Sequence, residues 1–156
     1  MAIHIVLVEP EIPPNTGNIA RSCAATGSVL HLVEPLGFSI DDKQLKRAGL
    51  DYWPFVNLAV HESLDKFFDE YPGRTMYFAT TKGIKLYTEA VFKDNDMIVF
   101  GKETAGLPKE VIERNRERSL RIPMAGATRL RSLNLSNSVN IILFEALRQL
   151  DFPDLK

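Results

Sequence analysis

Short apolar runs alternate with amphipathic segments along the whole chain. The runs are rich in Val, Ile, Leu and Phe, and turn-forming residues separate them, as is typical of strands buried in a parallel sheet. They predict strands over 3–8, 29–33, 56–60, 75–79, 97–100 and 120–122. The first run contains only one polar residue, His4, so we expect it to be covered on both faces of the sheet.

The segments between these runs carry helical signals. Leu64, Phe67, Phe68 and Tyr71 recur at spacings of three and four, which puts them on one face of a helix. Comparable signals predict helices over 15–27, 41–48, 63–71, 108–114 and 134–150. Strands that alternate with helices predict an α/β fold, with a mostly parallel sheet and helices on both faces, in one domain over 1–156.

The composition is typical of a soluble globular protein rather than of a disordered or fibrous one. Apolar residues make up 45% of the sequence and charged residues 25%, with a net charge of -1. Bulk charge therefore does not indicate nucleic-acid binding, and such contacts would need local clusters. The basic clusters are Lys43, Lys46 and Arg47, then Lys82 and Lys85, and then Arg129 and Arg131.

Several sites and locations are excluded or disfavoured. The single Cys23 excludes an intrachain disulfide and fits the reducing cytoplasm. No run approaches the roughly 20 apolar residues of a membrane span, and the first residues lack the basic start of a signal peptide. His4, His31 and His61 share no ligand spacing, so we expect no metal site.

Common catalytic and nucleotide-binding motifs are missing from the sequence. No two of the nine glycines are separated by one residue, which removes the G-x-G-x-x-G dinucleotide fingerprint. The chain also contains no P-loop, no G-x-S-x-G elbow and no H-E-x-x-H helix. Dinucleotide-dependent, serine-hydrolase and zinc-protease chemistry are therefore not expected.

Three polar clusters follow predicted strands, over 9–21, 100–107 and 122–138. Ligands of open parallel sheets bind beyond the carboxyl ends of the strands, which selects these segments as a candidate site. In the first cluster, Asn15 and Asn18 could orient a polar ligand and Arg21 could hold an anion. The alternative is that the cluster only starts a helix and that Arg21 is a solvated helix residue.

The second and third clusters also allow two interpretations. Gly101 lets the backbone approach a ligand closely, and Glu103 could accept hydrogen bonds from ligand hydroxyls or brace neighbouring loops. In the third cluster, helix capping explains one polar side chain but not the whole series. Its hydroxyl, amide and guanidinium groups alternate with leucines, which favours a ribose and phosphate ligand.

Together these segments resemble the SPOUT superfamily of RNA methyltransferases. Within it, the chain is similar to the small bacterial tRNA ribose 2'-O-methyltransferases that act at the wobble nucleotide. The resemblance runs from about Ile3 to Leu150. It is carried by Glu9-Pro10-Glu11-Ile12-Pro13-Pro14-Asn15-Thr16-Gly17-Asn18, Gly49-Leu50-Asp51-Tyr52, Thr80-Thr81-Lys82-Gly83 and Ser132-Leu133-Asn134-Leu135-Ser136-Asn137.

The resemblance implies a SPOUT fold with a deep C-terminal trefoil knot and a homodimer. It implies that S-adenosylmethionine is bound by Ala79, Gly101, Ile122, Met124 and Ser132. It also implies catalytic roles for Arg21, Arg131 and Asn134, although Arg129 could take the role of Arg131. Phe144 stands where the family often has Tyr. We expect the amino-terminal and carboxy-terminal helices to pack across the dimer axis.

The implied reaction is methylation of the ribose 2'-oxygen at position 34 of tRNA, on a cytidine or a modified uridine. The implied partner is the anticodon stem-loop, with leucine isoacceptors as expected substrates, and neither a metal nor a membrane is required. Two alternatives remain open at this point. The chain could be another SPOUT enzyme that acts on ribosomal RNA or on a base, or it could be a non-catalytic RNA- or nucleotide-binding module.

Overall fold

The computed structural model describes residues 2–41, 43, 47, 53–126 and 132–156. Within that part, seven strands form one sheet, and each strand is parallel to its neighbours. The order across the sheet is β3-β2-β1-β6-β4-β7-β5. The strands are β1 (His4–Val8), β2 (Val29–Val33), β3 (Asn57–His61), β4 (Met76–Ala79), β5 (Lys85–Leu86), β6 (Met97–Phe100) and β7 (Ser119–Arg121). The predicted parallel sheet is therefore confirmed.

Four helices with described bounds cover this sheet, and each coincides with a predicted one. They are α1 (Pro13–Thr26), α2 (Leu64–Glu70), α3 (Lys109–Arg114) and α4 (Leu135–Gln149). Short 3-10 turns lie at Trp53–Phe55, Tyr87–Glu89 and Arg116–Arg118. The predicted helix over 41–48 lies mostly outside the described residues. No described helix is long and apolar enough to cross a membrane.

The start of α1 corrects the prediction for the first cluster. The helix begins at Pro13 rather than Asn15, and no side-chain hydrogen bond caps it. A proline suits the first helical position because its missing N–H would have no partner there and its φ is already helical. Asn15 and Thr16 consequently lie buried inside the first turn, where they face the protein instead of ending a loop.

The two faces of the sheet carry separate cores. Along β1, Ile5 and Leu7 pack with α1 and α4 on one face, whereas Val6 and Val8 pack with α2 and α3 on the other. This alternation follows from the two-residue period of a strand. Because both sets are buried, the prediction of helices on both faces is confirmed.

Register at the centre of the sheet brings three strand ends together. Ala79 pairs with Phe100 of β6 and with Leu120 of β7. These three residues lie side by side at the carboxyl edge, so the loops that follow them emerge next to one another. This edge is where the open-sheet rule expects a ligand.

A row of three histidines lies on the face covered by α2. Nδ1 of His4 is 2.8 Å from Nε2 of His31, and Nδ1 of His31 is 2.9 Å from Nε2 of His61. The row ends at Glu70, whose carboxylate lies 3.1 Å from Nδ1 of His61. Folding thus gathers the histidines that share no spacing in the sequence. Among the described residues, no group of three or more His, Cys, Asp or Glu side chains is arranged to hold a metal ion.

Candidate functional site

A cavity of about 630 Å³ lies at the carboxyl edge of β4, β6 and β7. Each of the three polar clusters contributes to its wall. The first provides Asn15, the second provides Gly101 and Glu103, and the third provides Ile122, Met124, Ser132, Leu133 and Asn134. Three segments that are distant in sequence therefore form one site.

The residues predicted to hold the cofactor all line this cavity. They are Ala79, Gly101, Ile122, Met124 and Ser132, and Asn134 lines the cavity with them. Arg21 does not. It is exposed on α1, six residues beyond Asn15, which is about 9 Å along a helix. Arg129 and Arg131 lie outside the described residues. The structure thus brings together six of the eight predicted residues, and their individual roles stay predictions.

The loop after β6 can form only because Gly101 has no side chain. A Cβ at this position would lie 2.0 Å from the carbonyl carbon of Gly106 and 2.2 Å from the backbone nitrogen of Leu107. The loop folds back so that these backbones touch, and the N–H of Gly106 donates to the carbonyl of Lys102 at 2.8 Å. Gly106 itself has a φ of 69°, in the left-handed region that favours glycine.

Glu103 ties this loop to the start of α1. Its Oε1 accepts from the N–H of Glu11 at 2.9 Å, and its Oε2 accepts from the N–H of Ile12 at 2.8 Å and from Nδ2 of Asn15 at 3.2 Å. Both carboxylate oxygens are therefore occupied by donors of the chain. Of the two interpretations of Glu103, the hydrogen bonds support the brace between loops.

Glu11 makes the reciprocal contact. Its Oε1 accepts from the N–H of Thr104 at 3.0 Å and from the Thr104 hydroxyl at 2.7 Å. The hydroxyl bond is the main cause that lowers the pKa of the Glu11 carboxyl, and the backbone bond adds to it. Glu11 and Glu103 together join the two loops through five hydrogen bonds. We call this set the double clasp.

Asn134 connects the third cluster to the other two. Its Oδ1 caps α4 by accepting from the N–H and hydroxyl of Ser136, at 2.9 and 2.6 Å, and from the N–H of Asn137 at 3.3 Å. Its Nδ2 donates to Oδ1 of Asn15 at 3.1 Å. Because Asn15 also donates to Glu103, one hydrogen-bonded chain runs through all three clusters. Sequence reasoning selected these residues but missed that they bind one another.

The walls of the cavity combine apolar side chains with backbone groups and cations. Phe100, Leu107 and Ile122 supply apolar surface, while the loops after β4 and β6 present polar backbone groups. Three lysines also reach it, Lys82, Lys102 and Lys109, against the single carboxylate of Glu103. This mixture can accept a flat heteroaromatic ring between apolar surfaces and anionic groups at the lysines.

The family of the chain follows from comparison with known proteins. Residues 2–144 match the SpoU rRNA Methylase family, and the chain belongs to this family of methyltransferases. The resemblance to SPOUT enzymes is thereby confirmed.

Individual relatives cover nearly the whole chain. A tRNA (cytidine(34)-2'-O)-methyltransferase of Methylovorus glucosotrophus (strain SIP3-4) is 53% identical over 149 residues, which is 95% of this chain and 96% of the relative. A solved structure that concerns 2-OH methylation of C/U34 on tRNA superimposes with a TM-score of 0.91 at 45% identity, covering 96% of this chain and 97% of the other.

A third comparison involves a cofactor. An AdoMet-bound rRNA methyltransferase from Sinorhizobium meliloti has a TM-score of 0.83 at 27% identity. It covers 96% of this chain and 57% of the longer protein. The same fold therefore occurs in a methyltransferase with bound AdoMet, which is S-adenosylmethionine.

Proposed function

We propose that this chain is an S-adenosylmethionine-dependent tRNA methyltransferase that methylates the ribose 2'-oxygen of nucleotide 34. The nucleotide is a cytidine or a modified uridine. The observation that carries the proposal is the convergence of three polar clusters on one cavity, in a chain that is 53% identical to a relative named for this reaction. We expect leucine isoacceptors as substrates, recognised through the anticodon stem-loop in the cytoplasm.

The cavity fits the methyl donor in size and chemistry. Its volume of about 630 Å³ lies within the usual range of small-molecule sites, roughly 300–1,000 Å³. Apolar side chains such as Ile122 and Met124 would cover the adenine ring, and backbone groups near Ala79 and Gly101 would hydrogen bond with it. Ser132 would hold the polar part of the cofactor. When bound, this cofactor supplies an electrophilic methyl carbon on a sulfonium group.

The protein side of the reaction is mainly alignment of two reactants. Asn134 fixes the segment that carries Ser132, because its amide is bound at one end to α4 and at the other to Asn15. Arg21 would anchor a phosphate next to the reacting ribose and stabilise negative charge on the 2'-oxygen. A guanidinium stays protonated, so we give Arg21 no role as the proton acceptor. Arg131 would hold a further substrate phosphate.

We further propose a homodimer with a single SPOUT domain and a C-terminal trefoil knot in each subunit. Helices α1 and α4 pack side by side, and apolar side chains remain exposed around them. Ile12 is 43% exposed before α1, Phe144 is 46% exposed on α4, and Phe152 is 42% exposed after it. Cover by a second copy would remove this surface from water, which supports packing of these helices across a two-fold axis.

The decisive experiment is methyl transfer to tRNA that lacks the modification. Protein is incubated with labelled S-adenosylmethionine and total tRNA from a strain that lacks the gene, and the modified nucleotide is mapped. The matched control is a leucine tRNA with 2'-deoxycytidine at position 34, which has no oxygen to methylate. We expect label at position 34 in the first case and none in the control. Label on a base or on ribosomal RNA, or binding without transfer, would contradict the proposal.

A further inference from the structure

A second cavity, of about 580 Å³, lies on the face of the sheet covered by α2 and α3. It opens toward the amino ends of β4 and β7, since Thr75 precedes β4 and Arg118 precedes β7. The candidate active site lies at the opposite, carboxyl ends. We call the second cavity the arginine groove, because its charged lining residues are Arg74, Arg114 and Arg118.

The floor of the groove is apolar and its rim is cationic. Phe78 and Val111 are buried members of the core beneath it, and the half-buried Phe68 and Tyr71 form one wall. No carboxylate occurs among its described lining residues. In a chain whose net charge is only -1, this is a local concentration of positive charge.

The contacts of the three arginines do not neutralise their positive charges. Arg74 donates from Nη2 to the carbonyl of Asn95 at 2.6 Å, and its guanidinium lies 5.6 Å from the centre of the Tyr71 ring. Arg114 reaches only a carbonyl of its own helix, at 3.4 Å. None of the three forms an ion pair with another described residue.

Arg118 stands over an aromatic ring near a buried acid. Its guanidinium lies 5.9 Å from the centre of the Tyr77 ring. Asp96 feels the charge of both Arg118 and Arg74, yet burial dominates and raises the pKa of its carboxyl. The Asp96 side chain accepts from the N–H of Lys93 at 2.8 Å instead of closing onto an arginine. Tyr77 packs with the core on the opposite face of the sheet, so Arg118 stands at the edge of the groove, and Arg74 and Arg114 are its other two cations.

The groove adjoins the candidate active site through α3. Lys109 and Ile112 of this helix line the first cavity, whereas Val111 and Arg114 line the groove. Six residues of helix span about 9 Å, so only a short distance separates the two cavities along α3. An RNA strand that places the reacting ribose beside the first cavity can thus reach the groove by passing over α3.

We propose that the arginine groove binds the phosphodiester backbone of the substrate tRNA, a few nucleotides away from the reacting ribose. The proposal rests on tRNA as the substrate. Guanidinium groups bind phosphate oxygens in a fork, and three of them without a carboxylate suit a polyanion better than a neutral or cationic partner. Such contacts add affinity and register without reading sequence.

The test compares arginine variants inside the groove with a control variant just outside it. Arg114→Gln combined with Arg118→Gln removes two cations from the groove. Arg116→Gln is the matched control, because Arg116 is exposed in the same 3-10 turn but does not line the groove. Arg74 is left intact because it also holds the Asn95 loop. We measure tRNA affinity over a range of salt concentrations, together with kcat, KM and S-adenosylmethionine binding.

We expect the double variant to weaken tRNA binding about tenfold at low salt and to reduce the slope of log affinity against log salt by about two. The KM for tRNA should rise accordingly, while kcat at saturating tRNA and donor affinity stay at wild-type values. The control should retain the wild-type slope. If the double variant folds poorly, Arg114→Gln alone replaces it, because this change removes only a long contact within its own helix. The single variant should give half of the slope change.

Two results would overturn the groove as a tRNA site. One is a double variant that binds tRNA like the wild type at every salt concentration. The other is a loss in Arg116→Gln as large as the loss in Arg114→Gln alone, which would mean that only overall charge matters. Failure of the proposed function is distinct from both, because there the wild-type protein itself transfers no methyl group to tRNA.

Discussion

Asn134 donates a hydrogen bond to Asn15 across 3.1 Å, although 119 positions separate the two residues. The bond joins the N-cap of α4 to the first turn of α1, where Asn15 is only 7% exposed. The same Asn15 amide donates to Glu103 in the loop after β6. The wall of the candidate site is therefore held by side-chain bonds between its three segments, and these bonds can be broken one at a time.

Asn134→Asp separates the two tasks of this residue. Aspartate caps a helix as well as asparagine does, but it has no amide N–H to give to Asn15. The cap should be kept, but the buried Oδ1 of Asn15 would then face a carboxylate oxygen instead of a donor. We expect the free energy of unfolding to fall by about 1–3 kcal/mol, and methyl transfer to fall because the segment that carries Ser132 loses its anchor. Urea unfolding and initial rates of tRNA methylation measure the two effects.

The control for this prediction is Asn134→Ala, which loses both the cap and the bridge. It should lower the free energy of unfolding by about 0.5–2 kcal/mol and lower activity as well. If Asn134→Asp were as stable and as active as the wild type, the bridge to Asn15 would have no role in the site.

Glu103→Gln opens the double clasp from one side. A glutamine has one acceptor oxygen and one N–H₂ group, so it cannot receive the donors of Glu11, Ile12 and Asn15 together. We expect the free energy of unfolding to fall by about 1–3 kcal/mol, the range for lost bonds to a charged acceptor. The affinity for S-adenosylmethionine, measured by calorimetry, should fall as well, because Gly101 belongs to the loosened loop.

Glu11→Gln provides the matched comparison. The glutamine oxygen can still accept both bonds from Thr104, so this variant should keep most of its stability and donor affinity. Equal losses in the two variants would argue that charge, rather than the number of acceptors, holds the loops together.

The parallel sheet and most of the cavity lining could be predicted from the sequence, because the patterns that mark them are local. Apolar runs mark where β4, β6 and β7 end, and parallel strands bring their carboxyl ends to one edge. The resemblance assigned Ala79, Gly101 and Ile122 to one cofactor site, and their positions at the ends of predicted strands agreed with that assignment before the strand order was known. The strand Lys85–Leu86 was missed because two residues carry no periodic pattern.

Contacts between distant segments could not be predicted in the same way. The bond between Glu11 and Glu103 depends on how closely two loops approach, which no local pattern encodes. The hydrogen bonds of the histidine row could not be predicted for the same reason. His4, His31 and His61 each occupy a position that faces α2, but only the register of β1, β2 and β3 sets them within hydrogen-bonding distance.

Gly101→Ala should abolish donor binding. The new methyl group would meet backbone atoms of Gly106 and Leu107 at 2.0–2.2 Å, so the loop after β6 would have to open. Gly126→Ala is the control, because a Cβ there meets no atom of the described residues within 4 Å. Calorimetry should detect no donor binding by the first variant and normal binding by the second. Normal binding by Gly101→Ala would mean that the loop rearranges without harm to the site.

Arg21→Ala should abolish methyl transfer while donor affinity stays within a few-fold of wild type. The reason is that Arg21 lies outside the cavity lining and is exposed toward any RNA that approaches α1. Arg21→Lys keeps the charge but loses the forked geometry, so we expect partial activity. Wild-type turnover by the alanine variant would refute the role, and so would a loss of donor binding as large as the loss of activity.

Acid should weaken the fold through the histidine row. Burial, helped by the charges of His4, His61 and Arg74, lowers the pKa of His31 to about 3, and burial also lowers the pKa of His4. An unfolded histidine has a pKa near 6.5, so between these values the unfolded chain binds more protons than the folded one. The free energy of unfolding therefore falls as the pH drops below about 6.5, by up to about 1.4 kcal/mol per pH unit for His31.

The comparison of wild type with His31→Gln isolates this effect from other titrating groups. Glutamine does not titrate, so the variant should lose less stability between pH 7 and pH 5 than the wild type, even if it is less stable at pH 7. Urea unfolding at the two pH values gives the slopes. The neighbours that face His31 are unchanged in the variant, namely His4, His61, Tyr71 and Arg74. Equal slopes in the two proteins would show that His31 takes up a proton as easily in the folded state as in the unfolded one.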